Sequence, residues 1–274
     1  MLVSSFFISP VELWSLIGTA RSAQIVDARR RDVYDAAPSV LPAATWQDAA
    51  QSAQWAKELD RQSPVVVACR EGHQLSQMAA ARLREQGFDA RVLQGGYAGW
   101  IAAGLPLIEK AALDRFVQSR PSLWVTRRRP KIDRVACPWL IRRFIDAKAS
   151  LLFVDPPEVP AVAKESGAIP YDIEGVDLSH EGPRCTFDTM LMLFGLAADP
   201  ALARLATIVR GADTARPDLA PEAAGLHAIS LGLSSLAGDD DHGMLRHGFI
   251  VYDALLAWLR HAEGERHNWP AKKP

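Results

Sequence analysis

A run of three valines that leads into a cysteine constrains the fold of this chain most. Val65, Val66 and Val67 form an uninterrupted β-branched run, which is typical of a strand buried on both faces of a parallel sheet. Cys69 follows the run, Gly72 lies in a short loop, and a helical pattern begins beyond it. Converging backbone N–H groups and a helix N-terminus at such a place favour thiolate over thiol. The position alone leaves two alternatives open, a nucleophilic cysteine and a buried structural one.

The segments around this strand alternate between helical and strand patterns. Ser9, Pro10 and Glu12 predict a capped helix start, and Gly87 predicts the end of a later helix. We predict helices over 10–20, 46–61, 74–86 and 96–103, and strands over 23–27, 65–68 and 90–93. This order predicts an α/β fold with a doubly wound parallel sheet.

Three ordered motifs in residues 1–108 resemble those of rhodanese domains. They are Asp27-Ala28-Arg29, the six-residue loop from Cys69 to Gln74, and Gly95-Gly96 with Trp100. The resemblance implies that Cys69 takes a sulfane sulfur from a small donor, forms a persulfide and passes the sulfur to a thiol acceptor. It requires no cofactor.

The loop motif also implies roles for the residues next to Cys69. Backbone amides of residues 70–74 would cradle the sulfur anion, and Gly72 would permit an unusual backbone angle. Arg70 either lowers the thiol pKa and attracts an anionic donor or is a solvated loop arginine. His73 is a pH-dependent partner of the loop or an ordinary exposed histidine. Glu71 and Gln74 depart from the family pattern, and the acidic Glu71 opposes anion binding. We therefore expect a donor or acceptor other than plain thiosulfate.

Pro121 marks the boundary that we predict between two domains. A linker helix over 109–121 would join the rhodanese-like residues 1–108 to a second domain over 122–264, with a loose tail over 265–274. In the second domain we predict strands over 123–126, 151–154 and 168–173, and helices over 138–145, 159–166, 186–193, 200–209, 221–236 and 240–261. Pro138 would lie in a first helical turn and Thr186 would be an N-cap. This half is therefore predicted to be α+β and mainly helical.

The second half resembles the C-terminal domain of chromate-resistance ChrB proteins over roughly residues 122–262. The segments that carry the resemblance are 124–127, 131–146 and 208–215, with shorter similarity at 178–182 and 240–242. The resemblance implies a link to chromate. Regulators of this family have a DNA-binding N-terminal domain, which a rhodanese-like domain replaces here, so no nucleic acid is expected as a partner.

A basic segment supplies candidates for binding a tetrahedral oxyanion such as chromate. Arginine matches such anions with paired donors. The candidates are Arg127, Lys131, Arg134, Arg142 and Arg143. The alternative is a structural network in which these cations pair with Asp133 and Asp146.

A second set of residues has the chemistry of metal ligands. Mixed histidine and carboxylate sets suit iron, manganese or zinc. The candidates are His180, Glu181, Asp213, Asp241 and His242. Each also has a structural alternative, as a helix N-terminal acid, a loop residue or a turn residue.

Composition limits the remaining possibilities. Lys plus Arg number 31 against 32 for Asp plus Glu, so no overall charge recruits nucleic acid or a membrane surface. Three cysteines do not make a disulfide framework, which favours a reducing compartment. Cys137, beside Pro138, is either a reactive thiol or a buried inert one. The start MLVSSFFISP predicts neither a signal peptide nor a membrane span, so we expect a cytoplasmic protein.

Two functional hypotheses follow. In the first, the chain is a sulfurtransferase or persulfide carrier linked to chromate resistance, with Cys69 as nucleophile. In the second, it is a non-enzymatic sensor of chromate or a metal, and its rhodanese-like half is a degenerate interaction module.

Overall fold

A computed structural model describes residues 5–265. The predicted loose tail lies outside the described residues, apart from Glu265. The N-terminal half contains these elements in chain order: β1 (Phe7–Ile8), α1 (Pro10–Leu16), β2 (Gln24–Asp27), α2 (Arg31–Ala36), β3 (Ser39–Val40), β4 (Ala44–Trp46), α3 (Ser52–Trp55), β5 (Val65–Ala68), α4 (Gln74–Glu85), β6 (Ala90–Leu93), α5 (Gly96–Ala102), β7 (Ile108–Glu109) and α6 (Lys110–Phe116).

A five-stranded parallel sheet forms the centre of this half, in the order β1-β6-β5-β2-β4. The valine strand β5 is the middle strand, and its side chains alternate between two hydrophobic clusters. Val66 packs with the cluster that contains Trp14, whereas Val65 and Val67 pack with Leu83 of α4. Both faces of the strand are therefore covered, which confirms the predicted doubly wound α/β fold.

The single helix predicted over 46–61 is wrong. Trp46 ends strand β4, and the chain then makes a 3₁₀ turn over Ala49–Gln51, the short α3 and a second 3₁₀ turn over Ala56–Glu58. The Trp46 indole donates a hydrogen bond to the Arg29 carbonyl at 2.9 Å. The Asp48 side chain accepts from the Ala50 N–H at 2.9 Å. These bonds draw Trp46 into the sheet and start the first turn at Ala49, so helical spacing of apolar residues does not become one helix.

The C-terminal half combines a small sheet with long helices. Its elements are β8 (Leu123–Arg127), α7 (Asp133–Leu140), β9 (Ser150–Val154), α8 (Val159–Ser166), β10 (Ile169–Pro170), α9 (Thr186–Leu193), α10 (Pro200–Asp213), α11 (Ala223–Ala237) and α12 (Asp241–His261). The three strands are parallel, in the order β10-β8-β9. The mainly helical character predicted for this half is confirmed.

Two helix starts differ from the prediction. Helix α7 begins at Asp133, so Pro138 lies inside it rather than in its first turn. The Ile132 carbonyl accepts from the N–H groups of Val135 and Ala136 at 3.0 and 2.9 Å, which starts the helix earlier. The helix continues as a π-helical turn over Ile141–Ile145. In α9 the cap is Cys185, not Thr186, because the Asp188 side chain accepts the Cys185 N–H at 3.1 Å.

The two halves share one continuous hydrophobic core. Trp14 of α1 contacts Trp100 of α5 and Phe144 of the second half, each with ring centroids 5.9 Å apart. The Trp14 indole also donates to Asp199 at 2.9 Å, and the Arg260 guanidinium donates to the Ile17 carbonyl at 2.6 Å. The segment predicted as a linker helix over 109–121 is helical only in α6. The sulfur chemistry predicted for one half would thus take place on a scaffold packed against the other.

None of the helices within residues 5–265 has the length and apolar character needed to cross a membrane.

Candidate functional site

Cys69 lies directly after β5, in a loop that leads to α4. We call residues 69–74 the sulfur loop. The thiol is buried, with 5% of the residue exposed. The Ser76 hydroxyl in the first turn of α4 donates to Cys69 Sγ at 3.2 Å. The chain turns back on itself within eight residues, so the helix start and the thiol meet.

The surroundings of Cys69 favour its thiolate. Burial raises the pKa of the Cys69 thiol, but hydrogen bonds from the Ser76 hydroxyl and from the backbone N–H groups of Ser76, Glu71 and His73 outweigh that effect. The pKa of Cys69 is therefore lowered from its ordinary value. Since the thiolate is the nucleophilic form, the loop prepares Cys69 for attack on an electrophilic sulfur.

Two glycines let the sulfur loop approach the start of α5 closely. The N–H groups of Tyr97 and Ala98 donate to the carbonyls of Cys69 and Arg70 at 2.9 and 2.8 Å. A Cβ on Gly96 would collide with the Cys69 carbonyl oxygen, and Gly72, at φ +73°, has no room beside the Leu93 carbonyl. Gly72 and Gly96 therefore allow the backbone contacts that hold the loop in place.

The charged side chains of the loop point away from the sulfur. Arg70, Glu71 and His73 have side-chain exposures of 71%, 53% and 74%. A Glu71 oxygen lies 3.7 Å from Arg70 Nε and another lies 3.6 Å from His73 Nδ1. Gln74, the first residue of α4, is exposed. Backbone amides, rather than these side chains, surround the thiol.

Arg29 and Ser76 were not among the predicted site residues. Arg29 is 2% exposed, pairs with Asp27 at 2.6 Å, and lies 3.9 Å from the centre of the Tyr97 ring. Its Nη1 has no hydrogen-bond partner among the described residues. Arg29, Arg70 and Tyr97 line a cleft of about 480 Å³. The Asp-Ala-Arg motif marked Arg29 in the sequence, and Ser76 stands three residues after the loop histidine.

A second cluster of chemically active side chains lies in the C-terminal half. We call Asp133, Asp172, His180 and Asp213 the acid–histidine centre. His180 Nε2 lies 3.4 Å from Asp133, 3.4 Å from Asp172 and 3.5 Å from Asp213. Asp133 is the first residue of α7 and Asp213 the last of α10. Asp172 and His180 belong to the connection between β10 and α9.

The pKa values of His180 and Asp213 are shifted from their ordinary ranges by the carboxylates around them. The acceptor oxygens and negative charges of the Asp133 and Asp172 carboxylates raise the pKa of His180 to about 10. Burial, together with the charges of Asp133 and Asp172, raises the pKa of Asp213 to about 6. The centre therefore concentrates negative charge around one imidazole.

Backbone groups hold Asp133 rigidly. Its two oxygens accept from the N–H groups of Thr186 and Phe187, each at 2.8 Å. Asp172 accepts from the Thr186 hydroxyl at 2.9 Å and from Arg127 at 2.7 Å. The start of α9 thus already carries a carboxylate and is not open to an added anion.

Comparison with known proteins identifies both halves. Residues 9–103 match the rhodanese-like domain and residues 124–259 match the domain described as ChrB, C-terminal domain. The chain joins a rhodanese-like domain to a ChrB C-terminal domain. Both predicted resemblances are thereby confirmed.

A curated relative supports the assignment of the second half. Protein ChrB of Cupriavidus metallidurans is 32% identical over 177 residues, which are 63% of this chain and 51% of the relative. The match therefore spans about half the length of that protein.

Solved structures resemble the rhodanese-like domain. A rhodanese-related protein from Thermoplasma volcanium is 20% identical, with a TM-score of 0.34, and the match covers 38% of this chain and 98% of that one. A rhodanese-like domain protein from Staphylococcus aureus is 22% identical, with a TM-score of 0.32, covering 35% and 91%.

The ChrB C-terminal domain brings together only part of the predicted metal set. His180 and Asp213 meet in the acid–histidine centre. Glu181 is exposed and pairs with Arg184 at 3.1 Å, Asp241 accepts the Arg129 N–H at 2.7 Å, and the His242 ring packs on Phe153. In their place stand Asp133 and Asp172, which had no motif to mark them beyond their positions beside a helix start and a strand end.

The predicted oxyanion residues of this domain do not form one cluster. Arg127 and Arg134 lie 2.7 and 3.3 Å from Asp172. Arg143 pairs with Asp253 at 2.7 Å, and Arg142 donates to the Ala149 carbonyl at 3.1 Å. Lys131 is half-buried. Only Arg127 and Arg134 of the five therefore reach the acid–histidine centre.

The remaining thiols are buried among acids. Cys137 and Cys185 are both 0% exposed. Burial, followed by the charge of Asp133, raises the pKa of each thiol far above its ordinary value. For Cys137, this environment matches the buried, inert alternative.

Proposed function

We propose that this chain is a rhodanese-type sulfurtransferase or persulfide carrier with Cys69 as sulfur acceptor, and that it acts in chromate resistance. The observation that carries the sulfur proposal is the hydrogen-bonded, buried Cys69 thiol of lowered pKa at the centre of the sulfur loop. The exposed surface of the loop suits a small donor rather than a buried cofactor.

The proposed step is a displacement at sulfur. The Cys69 thiolate attacks the sulfane sulfur of a donor, a new S–S bond forms, and the donor's S–S bond breaks. With thiosulfate the leaving group is sulfite, which takes the bonding electron pair. A nucleophilic acceptor, such as a thiolate or cyanide, then attacks the outer persulfide sulfur and releases the Cys69 thiolate.

The cleft beside the loop supports an anionic donor. Arg70 offers an exposed guanidinium, and Arg29 holds a buried one whose Nη1 has no hydrogen-bond partner among residues 5–265. Both residues are cationic, although Arg29 is already paired with Asp27. These two guanidinium groups would attract a donor that has a negatively charged end. Three free thiols suit the reducing cytoplasm, where we place the protein.

The sulfur proposal is tested by loading and unloading the thiol. Purified protein is incubated with thiosulfate or inorganic polysulfide, and intact mass and thiocyanate release after cyanide are measured. We expect one added sulfur atom on Cys69 in the wild type and none in Cys69→Ser. Cys137→Ser serves as the matched control and should load normally, because the serine hydroxyl preserves the bond to Asp133. If no donor loads the wild type, the chain is a non-enzymatic module instead.

The chromate proposal is supported by the similarity to Protein ChrB and by the ChrB C-terminal domain. It is tested by expressing wild type and Cys69→Ser in a chromate-sensitive host. We expect survival in chromate to rise with the wild type and to fall back with Cys69→Ser. Equal protection by both would separate chromate resistance from sulfur chemistry.

A further inference from the structure

In the acid–histidine centre, the distances between the imidazole nitrogen and the carboxylate oxygens do not fit a set of hydrogen bonds. His180 Nε2 stands 3.4–3.5 Å from three carboxylate oxygens. These separations exceed the usual 2.7–3.2 Å of N–H···O bonds, and one Nε2–H cannot donate well to three acceptors.

The same separations suit ligands of a common ion. Nitrogen and oxygen ligands lie about 2.0–2.2 Å from a tetrahedral divalent ion, which places two ligands about 3.3–3.6 Å apart. One ligand atom each from Asp133, His180 and Asp213 lies within 4.8 Å of the others. We propose that Asp133, His180 and Asp213 bind one divalent first-row transition-metal ion through one imidazole nitrogen and two carboxylates.

The hydrogen bonds that hold Asp133 agree with a role as metal ligand. Asp133 is buried at 1% exposure and is fixed by the N–H groups of Thr186 and Phe187. Such outer hydrogen bonds orient metal-bound carboxylates. Asp172 is different, because the guanidinium groups of Arg127 and Arg134 lie 2.7 and 3.3 Å from its Oδ2. It is therefore a neutralised neighbour rather than a ligand.

The ligand set leaves an open coordination position. Three protein ligands are typical of sites that keep a place for water or a substrate. His180 is 44% exposed in its side chain and, with Arg127 and Asp172, lines a cleft of about 540 Å³. A small anion that reached the metal there would also meet the Arg127 guanidinium. Imidazole and carboxylate ligands together favour Mn²⁺, Fe²⁺ or Zn²⁺ over Mg²⁺ or Ca²⁺.

Metal titration of the full chain tests the site, independently of Cys69. Chelator-treated protein is titrated calorimetrically with Mn²⁺, Zn²⁺ and, without oxygen, Fe²⁺. We expect one ion per chain, and at least tenfold weaker binding in Asp213→Asn and His180→Gln. The matched controls are Asp241→Asn and His242→Gln, which alter the same residue types outside the centre and should bind as the wild type does. Circular dichroism establishes that each variant is folded.

A spectroscopic measurement keeps the proposal testable if a variant does not fold. Co²⁺ added to the wild type should give the visible absorption of a four- or five-coordinate nitrogen and oxygen site, which excess Zn²⁺ removes. Absence of saturable binding by every ion would overturn the proposal. So would unchanged affinity in a folded Asp213→Asn variant, because the cluster would then be an ion-pair network around a protonated His180.

Discussion

The sulfur loop and the acid–histidine centre occupy equivalent places in two parallel sheets and carry opposite chemistry. Each lies beyond the carboxyl end of a strand and against the start of a helix, α4 in one case and α9 in the other. At α4 the N–H groups around Cys69 face its sulfur and lower the pKa of the thiol. At α9 the N–H groups of Thr186 and Phe187 are already taken by Asp133. The carboxyl edge of a sheet therefore determines where a site lies. The group that accepts hydrogen bonds from the helix N-terminal N–H groups determines which charge the site can bind.

The cysteines follow the same division. Cys69 and Cys185 are both buried residues at helix starts, yet the pKa of Cys69 is lowered and the pKa of Cys185 is raised. Burial opposes the thiolate in both. Hydrogen-bond donors reverse its effect at Cys69, whereas Asp133 and Asp188 add to it at Cys185. Reactivity of a buried thiol thus depends on its nearest charges and donors more than on burial.

Thiol alkylation is the test of this comparison with the largest expected effect. At neutral pH we expect iodoacetamide to modify Cys69 more than about 100-fold faster than Cys137 or Cys185, since each pKa unit changes the thiolate fraction tenfold. Peptide mapping by mass spectrometry over a time course measures the three rates. Comparable rates would contradict the difference that we infer between the two regions.

Gly96→Ala tests whether the glycine contact positions the sulfur loop. The added Cβ would meet the Cys69 carbonyl, and we expect sulfur loading to fall about 10- to 100-fold, because small misplacements of a reacting group have effects of this size. Gly104→Ala is the control, with φ +67° but no atom within 4 Å of the new Cβ. Equal losses in both would assign the effect to backbone angle alone.

Ser76→Ala tests the hydroxyl that donates to Cys69. A hydrogen bond to a charged group contributes about 1.5–3 kcal/mol, so its loss should raise the pKa of Cys69 by about one to two units. The pH midpoint of the alkylation rate should rise accordingly, with slower reaction below it. Ser52→Ala is the control, because the buried Ser52 Oγ has no partner within the described part of the chain. A midpoint that stays in place would remove Ser76 from the site.

Gly18→Ala tests the common core of the two halves. Its Cβ would lie 2.5 Å from atoms of Leu256 and Phe144, both in the second half. We expect a loss of about 1–3 kcal/mol in the free energy of unfolding beyond that of Gly87→Ala, since Gly87 has nearly the same φ but open space around it. Denaturant unfolding measures both. Equal losses would mean that the halves separate without cost.

The sulfur loop could be predicted because its parts are close in sequence. Cys69 and Gly72 belong to one strand–loop–helix turn, so the local pattern places them together, although no motif marked Ser76. Even so, only the tertiary structure shows that the Glu71 side chain is exposed to solvent. Trp46 is the opposite case, because local pattern predicted a helix there. Its hydrogen bond to the Arg29 carbonyl instead holds it at the end of a strand.

The sequence alone determined the two families, the α/β character of the first half and the identity of the candidate nucleophile. Strand and helix periodicities and short motifs are local properties, and they survive folding. Only the tertiary structure assembled Asp133, Asp172, His180 and Asp213, which come from three separate segments. It also set Glu181, Asp241 and His242 apart from them. Which carboxylates surround an imidazole depends on long-range packing, and no spacing along a single chain segment records it.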